Sequence, residues 1–417
     1  MNSDKVAVAI LTIGDEILYG QTLDTNSQWM SAKLDSFGFT VVHRATVGDT
    51  EADIISGLKD ASSWADIILI TGGLGPTADD LTKPSLARYF NVSLKSNPAA
   101  LEELKALFQQ IDRELSEANI AQTNLPANAD YISNSLGTAP GIWIEDKGKV
   151  YASMPGVPFE MKNMLSNHVI PKLQEKYALP IITHRIIKTI GIGESWLAEK
   201  IAPWEQNLPE NIKLAYLPSI GQVKLRLTST GKDKSVLKAA IDEQIKQLLP
   251  YAEKYIYGYD GDEIAKVIGE LMISKNLTLG TAESCTGGYL AHLITSVAGS
   301  SGYFKGSVIA YTNDIKISTL GVSAETLDNH GAVSEETVTA MAKGLQTALA
   351  VDIAIATSGI AGPDGGTDDK PVGTIWVAIA NGAEVKTRQL KLFKDRLLNI
   401  KMTGVTSLAM LWRILSK

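Results

Sequence analysis

The sequence predicts two doubly wound α/β domains joined by a small α+β module, and three observations carry that prediction. Toward either end, short β-branched apolar runs alternate with stretches of helical periodicity, as strands and crossover helices do. Between them, at about residues 181–257, the run QVKLRLTST alternates apolar and polar residues, which marks a sheet with one wet face. The length, 417 residues, exceeds what one ordinary core fills, so two or three domains are expected. The boundaries read as 1–170, 171–257 and 258–417.

In the first stretch VAVAILTI (6–13), FTVVHRATV (39–47) and DIILIT (66–71) are the strands, and SQWMSAKLDSFG and ADIISGLKDASSWA the helices between them. The first and third strands are apolar almost throughout, as expected of strands covered on both faces. In the middle stretch RIIKTIGI, IKLAYLP, QVKLRLTST and EKYIYG read as strands, with ESWLAEKIAPW and SVLKAAIDEQIKQLL as helices. That order is a split β-α-β unit, KH-like in type. A KH clamp on RNA needs a G-x-x-G loop, and GIGES (191–195) does not supply it, so a structural or dimerising spacer is expected and the chain is expected as a homodimer. The third stretch opens with DEIAKVIGELMISKN, where Ile264, Val267, Ile268 and Leu271 fall at helical spacing. TLGTAE, GSVIAYT, DIAIATSG and GTIWVAIA follow as strands.

Composition narrows the class of function. Hydrophobic residues make up 45% and charged ones 20%, and no apolar run reaches the roughly 18 residues of a spanning helix, so a soluble protein without membrane partners is expected. The first residues turn acidic before any signal-peptide pattern, which with the single cysteine leads to the expectation of a cytoplasmic, reducing compartment. One cysteine excludes an internal disulfide framework and any multi-cysteine zinc site. A net charge of −7 gives no electrostatic reason for an extended nucleic-acid surface. Small molecules are the expected partners.

TAESCTGG (281–288) packs three candidate nucleophiles, Ser284, Cys285 and Thr286, into a strand-to-helix turn. Such a turn exposes a side chain above the sheet edge and aims the free amides of the following helix at a ligand. A serine needs a base, yet of the five histidines His292 and His330 stand beside no recognisable acid. A lysine serves if its pKa falls from about 10.4 toward 7, roughly 4–5 kcal/mol of differential stabilisation. YTNDIKISTLG (311–321) offers Lys316; Asn313 as helix cap would put it in the first turn, where the helix positive end opposes protonation. Tyr311 could relay a proton or position the serine. ATSGIAGPDGGTDDKPVG (356–373) adds Gly359, Gly362, Gly365 and Gly366, which let backbone amides turn toward a ligand. Each feature has a plainer alternative: Ser284 as a helix cap, Lys316 as a solvated surface lysine, the glycine loop as a simple turn.

In the first domain, LITGGLGPTADDLTKPSL (69–86) empties a buried strand into Gly72, Gly73 and Gly75, with a helix expected to start near Asp79, so amides can cradle phosphates. Asp79 and Asp80, with Asp15 and Glu16 after the first strand, could hold a divalent cation bridging a pyrophosphate, or could simply complement helix N-termini.

AESCTGG, then Y-x-x-x-x-K, then SGIAGPDGG and KPVGT, in that order over residues 260–417, resemble the C-terminal domain of the CinA family, the nicotinamide mononucleotide amidohydrolases. The resemblance implies a serine/lysine amidohydrolase converting nicotinamide mononucleotide to nicotinate mononucleotide and ammonia. It implies Ser284 as nucleophile, Lys316 as base and Tyr311 as auxiliary, with Thr286, Gly287 and Gly288 lining the pocket and Cys285 a packed neighbour. GDEIL, DTNS, GGLGPT-x-DD and MPGVPFEM (154–161) resemble the N-terminal domain of the same family, which is similar to molybdopterin-binding domains. That likeness implies a divalent-metal-dependent ADP-ribose pyrophosphatase, or pterin binding as its fold relatives do. No metal is expected for the C-terminal amidohydrolase. Both substrates are breakdown products of NAD, so a salvage role is coherent. The family name, competence- and damage-inducible protein, offers the alternative of a recombination-related interaction factor, against which stand the acidic charge and the missing G-x-x-G.

Overall fold

The computed structural model describes residues 6–77, 79–110 and 112–416. The chain divides into two compact units: one runs to Thr183 and takes in Thr230–Leu237, the other holds His184–Ser229 and Lys238 onward. Among the described residues no helix is long and apolar enough to cross a membrane.

The first unit is built on β1 (Ala7–Ile13), β2 (Thr40–Val47), β3 (Ile67–Thr71), β4 (Leu94–Ser96), β5 (Asn124–Pro126), β6 (Asp130–Ile132), β7 (Gly141–Asp146) and β8 (Lys149–Met154). Six of these form one sheet in the order β2-β1-β3-β8-β7-β6, while β4 and β5 pair as a separate ribbon. Strand β1 pairs in parallel with β2 on one side and β3 on the other. Alternate residues of one strand therefore serve two cores. Val8, Ile10, Ile67 and Leu69 pack with Met30 and Leu34 of helix Thr25–Asp35. Ala9, Leu11, Ile68 and Ile70 pack with Ile54 and Leu58 of helix Glu51–Trp64. A sheet buried on both faces is what the near-continuous apolar runs demand. Because the chain leaves β1 toward β2 and later returns to β3 on the other side, the strand order reverses between β1 and β3, and ligands of open α/β sheets bind at such a point.

The second unit carries two sheets. Strands β9 (Ile181–Ile190), β10 (Ile212–Ser219), β11 (Gln222–Gly231) and β12 (Ile256–Tyr259) lie in the order β10-β11-β9-β12. Val223, Leu225 and Leu227 face Leu197, Ile201 and Trp204 of helix Glu194–Glu205 and Ile241, Ile245 and Leu248 of helix Lys234–Ala252. The wet and dry faces of QVKLRLTST are thus assigned as its alternation predicts. Strands β13 (Leu279–Glu283), β14 (Phe304–Ile309), β15 (Ile353–Gly359), β16 (Thr374–Asn381) and β17 (Glu384–Lys391) form the other sheet, ordered β14-β13-β15-β16-β17. Ile353 and Ile355 face helices Ile264–Ser274 and Arg396–Leu415, whereas Ala354 and Ala356 face helix Glu335–Leu349.

Both large sheets are mixed. In the first unit β7 pairs antiparallel with both β8 and β6; in the second, β16 pairs antiparallel with both β15 and β17. The sequence EVKTRQLK of β17 has little of the apolar patterning that marks a strand, which suits an edge strand and hides it from a periodicity search.

Candidate active site

Strand β13 is buried along its whole length although it ends in an acid. The carboxylate of Glu283 is fully buried and accepts from the peptide N–H groups of Gly288 and Leu290, both at 3.0 Å, and of Ala291 at 2.7 Å. Thr281 Oγ1 donates to it as well, at 3.3 Å. The first-turn amides of helix Tyr289–Thr295 are therefore spent on a side chain of the chain itself, and the expectation that they face a ligand is corrected. Ser284 is not the cap of that helix either; the cap position is Gly288, at φ +98° where a side chain would be strained. Ser284 is anchored by its own N–H, which donates to the Thr357 carbonyl of β15 at 2.9 Å. The N–H groups of Cys285 and Thr286 meet no acceptor on another described residue, and of the two residues Cys285 lines the cavity described below.

Lys316 is the fourth residue of helix Asn313–Leu320, whose cap is Thr312 rather than the expected Asn313. Its side chain is 1% exposed, so it is no solvated surface lysine. Nζ donates to Ser284 Oγ at 3.2 Å and to the Ala310 carbonyl at 2.8 Å. Burial lowers its pKa, opposed by the Cys285 sulfur nearby. Among the described residues no carboxylate is bonded to the ammonium to hold it charged. Burial also pushes the Cys285 thiol up to about 12, so its thiolate is scarce at neutral pH and the thiol behaves as a packed neighbour.

Ser284, Cys285, Tyr311 and Lys316 line one cavity of about 240 Å³ together with Arg396. Tyr311 follows β14 by two residues, and its hydroxyl accepts from Arg396 at 2.7 Å instead of bonding the serine or the lysine. Arg396 also donates to the Gly362 carbonyl at 2.8 Å. Of the loop glycines, Gly359 lines the cavity and Gly362 orients the arginine, while Gly365 and Gly366 do not line it. Nor do Thr286, Gly287 and Gly288: Thr286 is buried with its hydroxyl on Thr357 at 2.7 Å, and the two glycines form the turn. Sequence reasoning missed Arg396 and Glu283.

In the first unit, Gly72 has φ +112°, and a side chain there would lie 2.2 Å from the Ile13 carbonyl, so the end of β1 and the turn after β3 touch at the switch point. Gly73 packs on Thr82 and Gly75 on Asp80. The N–H groups of Gly73, Leu74 and Gly75 meet no acceptor among the described residues, and Pro76, which has no N–H, ends the run. The helix beyond starts at Thr82, not near Asp79. Asp80 accepts from the Thr77 N–H at 2.9 Å and from its hydroxyl. Asp15 and Glu16 sit in the first turn of helix Asp15–Leu18, Asp15 accepting from Tyr19 at 3.3 Å. Among the described residues no three His, Cys, Asp or Glu side chains gather to hold a metal, so Asp15, Glu16, Asp79 and Asp80 do not fit a preassembled cage. A cavity of about 540 Å³ in this unit is lined by Asp24, Ser27, Arg44 and Thr46 among others, and none of the glycines or acids predicted from the sequence lines it.

Three family models match the chain: "Probable molybdopterin binding domain" over residues 9–175, "Damage-inducible protein CinA KH domain" over 184–258 and "CinA C-terminal domain" over 261–415. A CinA-like protein of Cytophaga hutchinsonii is 50% identical over 408 residues, 98% of this chain and 98% of its own. A CinA-like protein of Flavobacterium psychrophilum is 43% identical, covering 93% of each chain. One of Amoebophilus asiaticus is 41% identical over 95% of this chain and 96% of its own. With such similarity along nearly its whole length and all three domain models in the same order, the chain belongs to the CinA family.

Proposed function

We propose that the C-terminal domain hydrolyses the carboxamide of nicotinamide mononucleotide, giving nicotinate mononucleotide and ammonia. The observation that carries this reading is the buried Lys316 bonded to Ser284 in a cavity. With Nζ neutral the bond reverses, and the Ser284 hydroxyl donates its proton to Nζ as Oγ attacks the amide carbon. The oxyanion that forms falls to the N–H of Cys285, a residue that lines the cavity. Lys316 returns the proton to the amide nitrogen, the C–N bond breaks, and ammonia leaves an ester on Ser284. Water, deprotonated by the same lysine, hydrolyses the ester to the carboxylate and restores the serine. The test is ammonia and nicotinate mononucleotide release by the full chain, compared with Ser284→Ala. Equal release by the two would refute the proposal.

For the N-terminal domain we infer a nucleotide-binding crevice at the switch point, with ADP-ribose as the substrate the family resemblance implies. The amides of Gly73, Leu74 and Gly75, which meet no acceptor among the described residues, support it, since consecutive N–H groups can form a concave anion site. Among the described residues the acids nearby do not gather as a metal cage, so the reading rests on the amides. ADP-ribose binding by calorimetry, compared with molybdopterin precursors, separates this reading from pterin binding.

A further inference from the structure

We infer that Arg396 makes the cavity of Ser284 and Lys316 selective for amides that carry a phosphate, an inference that rests on the amidohydrolase reading of that pair. Among the described residues no Asp or Glu lines this cavity, while two cations do. One of them, Lys316, is buried and must be neutral to act as a base. Arg396 is the other, and a guanidinium does not deprotonate in water. Its hydrogen bonds among the described residues both go to neutral groups, the Tyr311 hydroxyl and the Gly362 carbonyl. The neighbouring carboxylate of Asp395 is turned to the N–H of Leu398, which it caps. Arg396 therefore brings to the cavity a fixed positive charge that no bonded carboxylate neutralises.

The two bonds have a second consequence. They occupy two of the five guanidinium N–H groups and fix the plane of the fork, so the remaining donors are already oriented for a phosphate. Depth supplies the polarity of the site. Ser284 and Lys316 are buried, whereas Arg396 is exposed. A volume of about 240 Å³ falls below the ~300–1,000 Å³ of typical ligand pockets. It suits an amide on an aromatic ring, with the rest of a nucleotide reaching outward to an arginine at the rim.

The experiment compares nicotinamide mononucleotide with nicotinamide riboside, which lacks only the phosphate, using the full-length parent, Arg396→Gln and Arg396→Lys. The expected result is a strong preference of the parent for the nucleotide in kcat/KM. Arg396→Gln should reduce that preference roughly 10- to 150-fold, chiefly through KM, as loss of a charged hydrogen bond does. Arg396→Lys keeps the charge without the fork and should fall between. A preference within threefold of the parent in Arg396→Gln would overturn the inference. So would an equal loss of kcat on both compounds, which would mean that Arg396 acts only through Tyr311. If the parent hydrolyses neither compound, the amidohydrolase reading fails, and calorimetry with nicotinamide mononucleotide decides the role of Arg396 separately. Affinity lost in Arg396→Gln supports it, and unchanged affinity or no binding by the parent overturns it.

Discussion

Lys316 Nζ lies 3.2 Å from Ser284 Oγ, and its other bond is to the carbonyl of Ala310 at 2.8 Å. An ammonium so placed has one hydroxyl and one peptide oxygen to replace the water it lost, and no carboxylate. Burial then favours the neutral amine. The same burial that makes this lysine a poor cation makes it a usable base.

The rate should follow that proton. Because burial lowers the Lys316 pKa, kcat/KM for nicotinamide mononucleotide is expected to rise with pH and level off through an apparent pKa below the ordinary value of about 10.4. A profile flat from pH 5 to 10 would remove a titrating lysine from the rate.

Ser284→Ala should lower kcat at least about 1,000-fold, whereas Cys285→Ala should stay within about threefold of the parent. The thiol is buried and held protonated, so its removal takes away packing and not a nucleophile. Ammonia release at saturating substrate measures both. An active Ser284→Ala beside a dead Cys285→Ala would exchange their roles.

Glu283→Ala is expected to destabilise the protein by on the order of 3–5 kcal/mol, because it orphans three buried or half-buried amides at once. Glu283→Gln keeps the shape but turns an N–H₂ toward N–H donors, at a cost of about 2 kcal/mol. Denaturant midpoints report both, and a loss under about 0.5 kcal/mol for Glu283→Ala would contradict the capping role.

Lys83 makes a pH-dependent prediction for the first unit. Burial lowers its pKa from 10.5 to about 8, with Asp80 opposing. Below pH 8 both folded and unfolded chains hold the proton, and the buried ammonium costs about 3 kcal/mol. Between pH 8 and 10.5 the folded chain releases it first, so the unfolded state binds more protons and stability rises with pH. Lys83→Met should lose that rise in unfolding midpoints between pH 7 and 10. An unchanged slope would show that another group titrates.

Much of this was legible in the sequence, for reasons that differ by element. Buried parallel strands such as DIILIT and DIAIATSG announce themselves by composition, and the alternation of Val223, Leu225 and Leu227 assigns a face. Lys316 and Ser284 meet because a strand-to-helix turn and a helix first turn open at the same sheet edge, which motif order anticipates. Arg396 lies 85 residues beyond Tyr311, and only tertiary packing brings its helix start to the cavity. Glu283 did leave a signal: an acid at the end of an otherwise uncharged buried strand needs partners, and the next turn supplies them. The acids of the first domain are ambiguous for the opposite reason. Helix starts and turns attract carboxylates on their own account, and Asp15 sits in a helix turn while Asp80 accepts from Thr77.

The most direct measurement is kcat of Lys316→Arg at saturating nicotinamide mononucleotide. Arginine keeps a cation beside Ser284 but cannot accept a proton at working pH, since its pKa exceeds about 12. If Lys316 is the base, kcat should fall by at least about 1,000-fold with no recovery as pH rises. If the lysine merely attracts an anionic substrate, the charge-preserving variant should keep kcat and show its loss in KM. A kcat within about tenfold of the parent would contradict the account and leave Ser284 without a base.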